Sequence, residues 1–188
     1  HDPARAPLPP YYPDTPAARR TIARFHDCVT VLDRDHVGRI LRELEEDGLA
    51  GDTIVFFFSD HGSGLPRHKR TLHDSGLRVP LIVRFPEKYR RWAPAAPGGT
   101  VDRLVCFADF GPTVLSLAGV AAPPEMEGLP FLGAAAAPPR TLVFGARDRI
   151  DEAIDLSRSV RDARYLYILN FMPHLSWLQP EGFSDGLA

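Results

Sequence analysis

Apolar side chains recur at spacings near three and four residues after the proline-rich first 16 residues, which is the period of an amphipathic helix. The positions that carry this pattern are Ile22, Phe25, Val29, Leu32, Val37, Ile40, Leu41 and Leu44. Thr15 followed by Pro16 fits a helix start, because threonine caps free N–H groups and proline is tolerated at the first helical position. Gly48 fits its end. The pattern predicts a long helix with at most one break, whose apolar stripe covers a core.

A different pattern follows at residues 54–59, which read Ile-Val-Phe-Phe-Phe-Ser without alternation of polar and apolar side chains. An unbroken apolar run of this length is typical of a strand that a parallel sheet buries on both faces. A second run occupies residues 79–85, with Pro80 near its start, where a missing N–H is tolerated. Residues 60–78 between the two strands form a long polar connection, and connections of that length are often functional.

The remainder of the chain predicts shorter elements. Asp109-Phe-Gly-Pro opens a short helix that stops at Gly119. Two loops rich in proline and two further strands complete the pattern, the loops at 86–100 and 120–140 and the strands at 141–145 and 165–171. A helix followed by buried strands predicts an α/β layer architecture.

Composition and charge narrow the function only slightly. A hydrophobic content of 44% and a charged content of 24% are ordinary for a globular protein. The formal net charge of −2 gives no reason to expect nucleic acid or an anionic membrane as a partner, and no apolar stretch approaches the roughly 20 residues that cross a bilayer. The start His-Asp-Pro-Ala-Arg has neither an initiator methionine nor an apolar leader, so we expect a piece of a longer chain.

Candidate chemistry begins directly after the first predicted strand, where Asp60 and His61 are followed by Gly62 and Gly64. Ligands of parallel sheets bind at the carboxyl ends of strands. A carboxylate oxygen and a neighbouring imidazole nitrogen can ligate one metal if the backbone turns sharply, which glycines permit. The alternative is a turn or helix cap built from the same residues, and the tripeptide by itself leaves both interpretations open.

Basic side chains crowd into the twelve residues 67–78: Arg67, His68, Lys69, Arg70, His73 and Arg78. Such a cluster beside a metal would suit an oxyanion with several exposed oxygens, such as sulfate or phosphate. The alternative is a solvated basic loop. Both ends of this loop, however, are held by predicted strands.

The order of these motifs resembles the C-terminal half of the catalytic domain of the sulfatases, in the alkaline phosphatase superfamily. The main matching stretches are T-I-V-F-F-F-S-D-H-G at 53–62 and H-K-R-T-L-H-D-S-G-L-R-V-P-L-I-V-R-F-P at 68–86. Further matches are D-F-G-P-T-V-L-S-L-A-G at 109–119, Met-Glu-Gly at 126–128 and V-R-D-A-R-Y-L-Y-I at 160–168. The pattern is most similar to bacterial sulfatases related to heparan N-sulfatases.

The resemblance implies a portion of an alkaline-phosphatase-like α/β fold, with a mixed, largely parallel sheet flanked by helices. Residues 1–119 would be the C-terminal half of the catalytic domain, truncated at its start. Residues 120–188 would form a small C-terminal subdomain with edge strands.

The resemblance also implies a reaction. Sulfatases use a formylglycine, made from the first residue of a C/S-x-P/A-x-R signature, which attacks sulfur beside a calcium ion. Neither Cys28 nor Cys106 begins such a signature. We therefore expect the nucleophile and further metal ligands outside these residues, and no turnover of sulfate esters or sulfamates by this chain alone. Asp60 and a neutral His61 would complete the calcium site, so that metal binding weakens at acid pH.

The remaining site residues follow from the same resemblance. Lys69, nine residues before Arg78, would bind and stabilise the sulfate oxygens. His68 would donate a proton to the leaving group, with His73 as a second choice and as a substrate contact. Arg147 is the exception, because it is suggested by the alternating charge of segment 147–152 after a predicted strand: it would contact a sugar, or alternatively belong to a salt-linked surface loop.

The substrate would be a sulfated small molecule or glycan, and export to the periplasm or beyond is frequent in the family. Two alternatives remain at this point. One is a phosphodiesterase or phosphonate monoester hydrolase of the same superfamily, which shares the ligands at the strand end. The other is a non-catalytic module that keeps the fold and binds an anionic glycan or a protein. Neither the natural substrate nor the oligomeric state can be read from the residues.

Overall fold

The computed structural model describes residues 1–10, 12–65, 67–150 and 152–176. The chain divides into two compact units, His1–Thr53 and Ile54–Ala188. The domain boundary expected after residue 119 therefore lies inside the second unit, although a separate sheet does lie beyond that point. Among the helices of the described ranges, none has the length and apolar character that a membrane crossing requires.

The first unit is helical. Helix α1 spans Pro16–Val31, and the Thr15 hydroxyl accepts a hydrogen bond from the N–H of Ala18 at 3.2 Å, which confirms the predicted cap. A π-helical stretch over Leu32–Val37 leads into helix α2, Gly38–Glu46. The predicted long helix is thus confirmed, and its single break is the wider π-helical turn. Only Ile22 and Ala23 of α1 are buried within this chain.

The second unit begins with a two-stranded sheet. Strand β1, Val55–Phe58, pairs antiparallel with strand β2, Leu81–Arg84, in a register that sets Val55 opposite Arg84. Both strands lie where the apolar runs predict them. Among the described residues β1 pairs with antiparallel β2, and the parallel pairing expected for β1 is not found there. Phe57 and Phe58 are 37% and 43% exposed, so this chain does not bury the run on both faces.

The second unit also contains two short helices, of which the second was predicted from its start and stop signals. Helix α3, Asp74–Leu77, is a single turn in the connection between β1 and β2. Helix α4, Phe110–Ala118, ends at Gly119, which adopts the left-handed conformation (φ 73°) that favours glycine after a helix. The ring of Phe110 packs at centroid distances of 4.9 Å from Phe58 and 5.8 Å from Phe131, so α4 covers the β1 side of the core.

A second, three-stranded antiparallel sheet closes the unit in the order β3–β4–β5: Val143–Ile150, Ala153–Arg161 and Leu166–Asn170. The predicted strand at 165–171 is confirmed as β5, and the strand at 141–145 continues to Ile150. The charged segment that begins at Arg147 is therefore mostly strand, where the sequence suggested a loop. Strand β4 was not predicted, because its apolar residues Ile154 and Leu156 face outwards while Ser157 faces inwards.

Candidate functional site

The connection between β1 and β2 is closed at its base by two glycines. The N–H of Gly62 donates to the carbonyl of Gly76 at 3.1 Å. A Cβ on Gly62 would lie 2.0 Å from the carbonyl oxygen of Ser75, and one on Gly76 would lie 2.3 Å from that of Thr71. Neither glycine has a positive φ. Glycine is needed here for close backbone approach, which differs from the conformational freedom that the sequence suggested for Gly62.

We expect Gly76→Ala to destabilise the protein by about 1 to 3 kcal/mol, because the added methyl overlaps backbone atoms that cannot move independently. Thermal unfolding of the complete protein measures this effect. Gly64→Ala is the matched control, since a Cβ at Gly64 meets nothing within 4 Å. Equal melting temperatures for the two variants would contradict the proposed closure.

Asp60 and His61 lie together at the end of β1. The Asp60 Oδ1 atom is 3.6 Å from His61 Nε2, and the Asp60 side chain is 82% exposed. His61 Nδ1 lies 2.6 Å from the carbonyl oxygen of Gly62, which can only accept. Nδ1 therefore carries the proton, and in a neutral ring Nε2 keeps the lone pair on the side of Asp60. A backbone carbonyl is one of the partners that commonly orient a metal-binding histidine.

This pair fits part of a site for one divalent cation. A carboxylate oxygen suits Ca²⁺. An imidazole nitrogen also suits transition metals such as Zn²⁺, so the two donors do not by themselves select one metal. Within the described ranges, no group of three or more His, Cys, Asp or Glu side chains could hold a metal. The remaining ligands of such a cation would therefore have to be other kinds of oxygen or nitrogen atom, or side chains outside the described residues.

His68 and Lys69 are tied to the same strand end through Ser63. The Ser63 hydroxyl lies 2.7 Å from His68 Nδ1, and the Ser63 carbonyl accepts the backbone N–H of Lys69 at 3.0 Å. The His68 ring is half-buried and Lys69 is exposed. Ser63 stands two residues after His61, so one short segment carries the potential metal ligands and also positions the basic pair.

The backbone on either side of this basic pair is in an uncommon conformation. Arg67 and Arg70 have φ values of 65° and 68°, in the left-handed region that non-glycine residues seldom occupy. Such conformations persist only where surrounding contacts impose them. The Arg67 carbonyl accepts the hydroxyls of Thr71 and Ser75, and the Arg70 carbonyl accepts Nη1 of Arg147 at 3.1 Å.

The other predicted site residues are placed differently. His73 is exposed and precedes the first turn of α3, where its carbonyl accepts the N–H groups of Gly76 and Leu77. Arg147 is not on the surface: its side chain is 6% exposed and forms an ion pair with Asp155. Burial and this pairing argue against the expected sugar contact. Trp177, an aromatic residue near the C-terminus whose type suits either packing or a sugar site, lies outside the described residues.

Three residues of this region were missed by sequence reasoning. Ser63 could have been noticed as a hydroxyl between two glycines beside the candidate ligands. Asp74 forms an ion pair with Arg161 of β4 at 2.6 Å, and Asp155 pairs with Arg147. The first pair joins segments 87 residues apart, and the second forms only because β3 and β4 lie side by side, so no local pattern signals either of them.

Comparison with known proteins gives a consistent result. A family model described as Sulfatase matches residues 1–120. The chain is 40% identical to an ulvan-active sulfatase from Formosa agariphila over 95% of its own length, and 32% identical over 91% to the N-sulphoglucosamine sulphohydrolase of Homo sapiens. It spans only 29% and 36% of those two relatives.

The fold comparison agrees. A structure determined in complex with its substrate, D-glucosamine-2-N,6-O-disulfate, superimposes on 84% of this chain with a TM-score of 0.67 at 24% sequence identity, and the chain covers 32% of that structure. The chain therefore has the fold of a portion of an alkaline-phosphatase-like α/β domain.

Proposed function

This chain belongs to the sulfatase family, and from that premise we propose that the complete protein hydrolyses sulfate esters or sulfamates of a glycan. The observation that carries the proposal is the segment from Asp60 to Lys69. It sets a carboxylate and an imidazole 3.6 Å apart, and through Ser63 it joins them to a histidine and a lysine. This short segment therefore combines two potential metal ligands with two groups that suit an oxyanion.

We assign Asp60 Oδ1 and His61 Nε2 to a calcium ion. Their separation allows both atoms to contact one cation, and the Gly62 carbonyl keeps Nε2 unprotonated in the neutral ring. When bound, calcium would withdraw charge from a sulfate oxygen, and a formylglycine outside these residues would supply the attacking oxygen. The tasks of this chain are to hold the metal, to orient the sulfate group and to move a proton.

Lys69 is proposed to bind the sulfate oxygens. It is exposed, its backbone is anchored to Ser63, and a compact ammonium group stabilises negative charge that shifts among oxygens in the transition state. His68 is proposed to donate the proton that the leaving oxygen or nitrogen needs as its bond to sulfur breaks. If the Ser63 hydroxyl donates to Nδ1, the proton of the neutral ring is on Nε2, which is the donor position this role requires.

The proposed substrate class rests on the relatives. One is named as active on ulvan and another as acting on N-sulphoglucosamine, and the structural neighbour contains a disulfated glucosamine. A sulfated glycan is therefore the expected substrate. The exposed His73 beside α3 is proposed to contact its sugar portion.

Sulfate release from the complete protein tests the activity. We expect release from sulfated glucosamine or ulvan oligosaccharides, and slower release from a simple aryl sulfate that lacks the sugar. An aryl phosphonate monoester, assayed in parallel, distinguishes the phosphonate hydrolase alternative. Turnover of the phosphonate without any sulfate release would exclude the sulfatase assignment.

We expect Asp60→Ala to weaken calcium binding by at least about tenfold, since even the outer partners of metal ligands cost ten- to a hundredfold when removed. Isothermal titration of the metal-free complete protein with calcium gives the affinity. Asp102→Ala is the control, because Asp102 is also exposed but lies in a loop far along the chain. An affinity unchanged by Asp60→Ala, or lowered equally by the control, would remove Asp60 from the site.

A further inference from the structure

The loop between β1 and β2 rests on the second sheet at a glycine of β3. A Cβ built on Gly145 would lie 3.3 Å from Leu77 Cδ1 and 3.4 Å from Leu72 Cδ2. Leu72 is 3% exposed, so the loop packs tightly there. The loop that carries His68 and Lys69 therefore lies directly against β3 at this glycine.

A buried ion pair lies beside this contact. Arg147 on β3 pairs with Asp155 on β4, and each side chain is 6% exposed. The Ser157 hydroxyl donates to Asp155 Oδ1 at 3.2 Å and so helps to orient the carboxylate. With the guanidinium held in this way, its Nη1 donates to the carbonyl of Arg70 at 3.1 Å.

The Arg70 carbonyl is the point at which this contact affects the loop. Arg70 follows Lys69 directly and has the left-handed φ of 68°. A carbonyl held from outside restrains the peptide plane, and with it the conformation of the residue that carries it. Arg161 of β4 adds a second attachment through Asp74, at the start of α3. The sheet thus holds the loop at both ends of residues 70–74.

We propose that Arg147 and Asp155 are positioning residues, which set the place of Lys69 and His68 by fixing the Arg70 carbonyl. The inference deepens the proposed function and rests on it for its catalytic consequence. Neither side chain touches the substrate in this assignment. The three-stranded sheet then supports the loop between β1 and β2, and Arg147 and Asp155 affect the reaction only through the positions of Lys69 and His68.

The test is a double substitution, Arg147→Met with Asp155→Leu, in the complete protein. Replacing a buried ion pair by apolar residues of similar size often preserves stability, while the bond to the Arg70 carbonyl is lost. Arg158→Met with Asp148→Leu is the matched control. That pair bridges the same two strands with the same chemistry, but its side chains are 44% and 64% exposed. Its hydrogen bonds, from Arg158 to Asp148 and to the Ser157 carbonyl, stay within β3 and β4.

Hydrogen exchange is the first readout. The backbone N–H groups of Lys69 and Thr71 are hydrogen-bonded within the loop, and those of β1 report on the neighbouring sheet. We expect the loop amides of the double variant to exchange at least about tenfold faster while the β1 amides keep their rates, since local opening exposes only the loop. A general loss of stability would accelerate both sets.

Sulfate release is the second readout. We expect kcat to fall about ten- to a hundredfold in the double variant and to stay unchanged in the control, because small displacements of catalytic groups have effects of this size. Loop amides that exchange as in the wild type would overturn the proposal. If the wild type releases no sulfate, the proposed function fails, and the exchange experiment still decides the positioning role.

If the double variant does not fold, a third variant tests the same contact. Arg147→Lys keeps a cation opposite Asp155, but an ammonium group lacks the planar fork that reaches two partners at once. We expect the same faster exchange at Lys69 and Thr71. Wild-type exchange at both amides in a folded Arg147→Lys variant would overturn the proposal.

Discussion

Replacing Lys69 by alanine is expected to lower kcat for sulfate release about a hundredfold, which corresponds to roughly 3 kcal/mol of lost transition-state stabilisation. The reason lies in its place on the loop. Its backbone N–H donates to the carbonyl of Ser63, which lies two residues after His61, so the exposed ammonium group extends from an anchored backbone. A preorganised cation of this kind needs no rearrangement when charge shifts on the sulfate oxygens.

The chain provides a matched control, because Lys88 is its only other lysine. Lys88 is exposed and lies near the ring of Tyr89, in a surface segment after β2. Lys88→Ala should leave kcat and KM as they are. Steady-state kinetics on a sulfated glucosamine, with circular dichroism to confirm folding, gives the comparison. Turnover by Lys69→Ala close to that of the wild type would refute the assigned role.

The local elements were predictable because their signals are local. Thr15 and Pro16 mark the start of α1, and Gly119 marks the end of α4, through capping and backbone preferences that act within one helical turn. The apolar runs located β1 and β2 for the same reason. The candidate site residues Asp60, His61, His68 and Lys69 could be proposed because they lie close together in sequence, and their roles stay predictions.

The pairing of strands was not predictable in the same way. A continuous apolar run indicates burial by some partner but does not identify it, and within this chain the partner of β1 is antiparallel β2. Strand β4 was not predicted because its polar and apolar side chains face the opposite way to the usual pattern: Ser157 and Ser159 are buried, while Ile154 is 60% exposed. An inward face of small polar residues conflicts with the usual pattern, and only the tertiary structure explains it.

The predicted role of Arg147 shows the same limit. Its charged neighbours suggested a surface segment, and the sequence holds no sign that Asp155, eight residues on, would neutralise it in a buried pair. Hairpin geometry creates that contact, since β3 and β4 run antiparallel beside each other. The physical role of a charged residue thus depends on a partner that only pairing supplies.

We expect Asp109→Ala to destabilise the protein by about 3 to 5 kcal/mol, the usual effect of breaking a buried ion pair from one side. Asp109 is 1% exposed. Its carboxylate accepts hydrogen bonds from the N–H groups of Cys106 and Leu129 at 3.0 and 2.8 Å, and from Nη2 of Arg140 at 2.5 Å. Alanine leaves these three donors without their acceptor.

The control for this prediction is Asp148→Ala, which breaks the exposed pair with Arg158 and should change stability by less than about 1 kcal/mol. Thermal unfolding followed by calorimetry on the complete protein compares the two variants. Because the Asp109 carboxylate joins the start of α4 to the loop at Leu129, the unfolding of the segments around α4 should shift most. Equal melting temperatures for Asp109→Ala and the wild type would contradict its role as a tether.

Acid dependence gives an independent test of the same contact. Burial alone would raise the pKa of Asp109, but the hydrogen bonds from Arg140, Cys106 and Leu129 outweigh it and hold the pKa below its usual range. A carboxyl group whose pKa is lowered by folding stabilises the protein above its unfolded pKa of about 4, and this contribution is lost as the pH falls through the folded pKa. The stability difference between the wild type and Asp109→Asn should therefore be constant above about pH 5 and narrow below pH 4. A difference that stays constant down to the acid limit of folding would show that the charge of Asp109 does not contribute to stability.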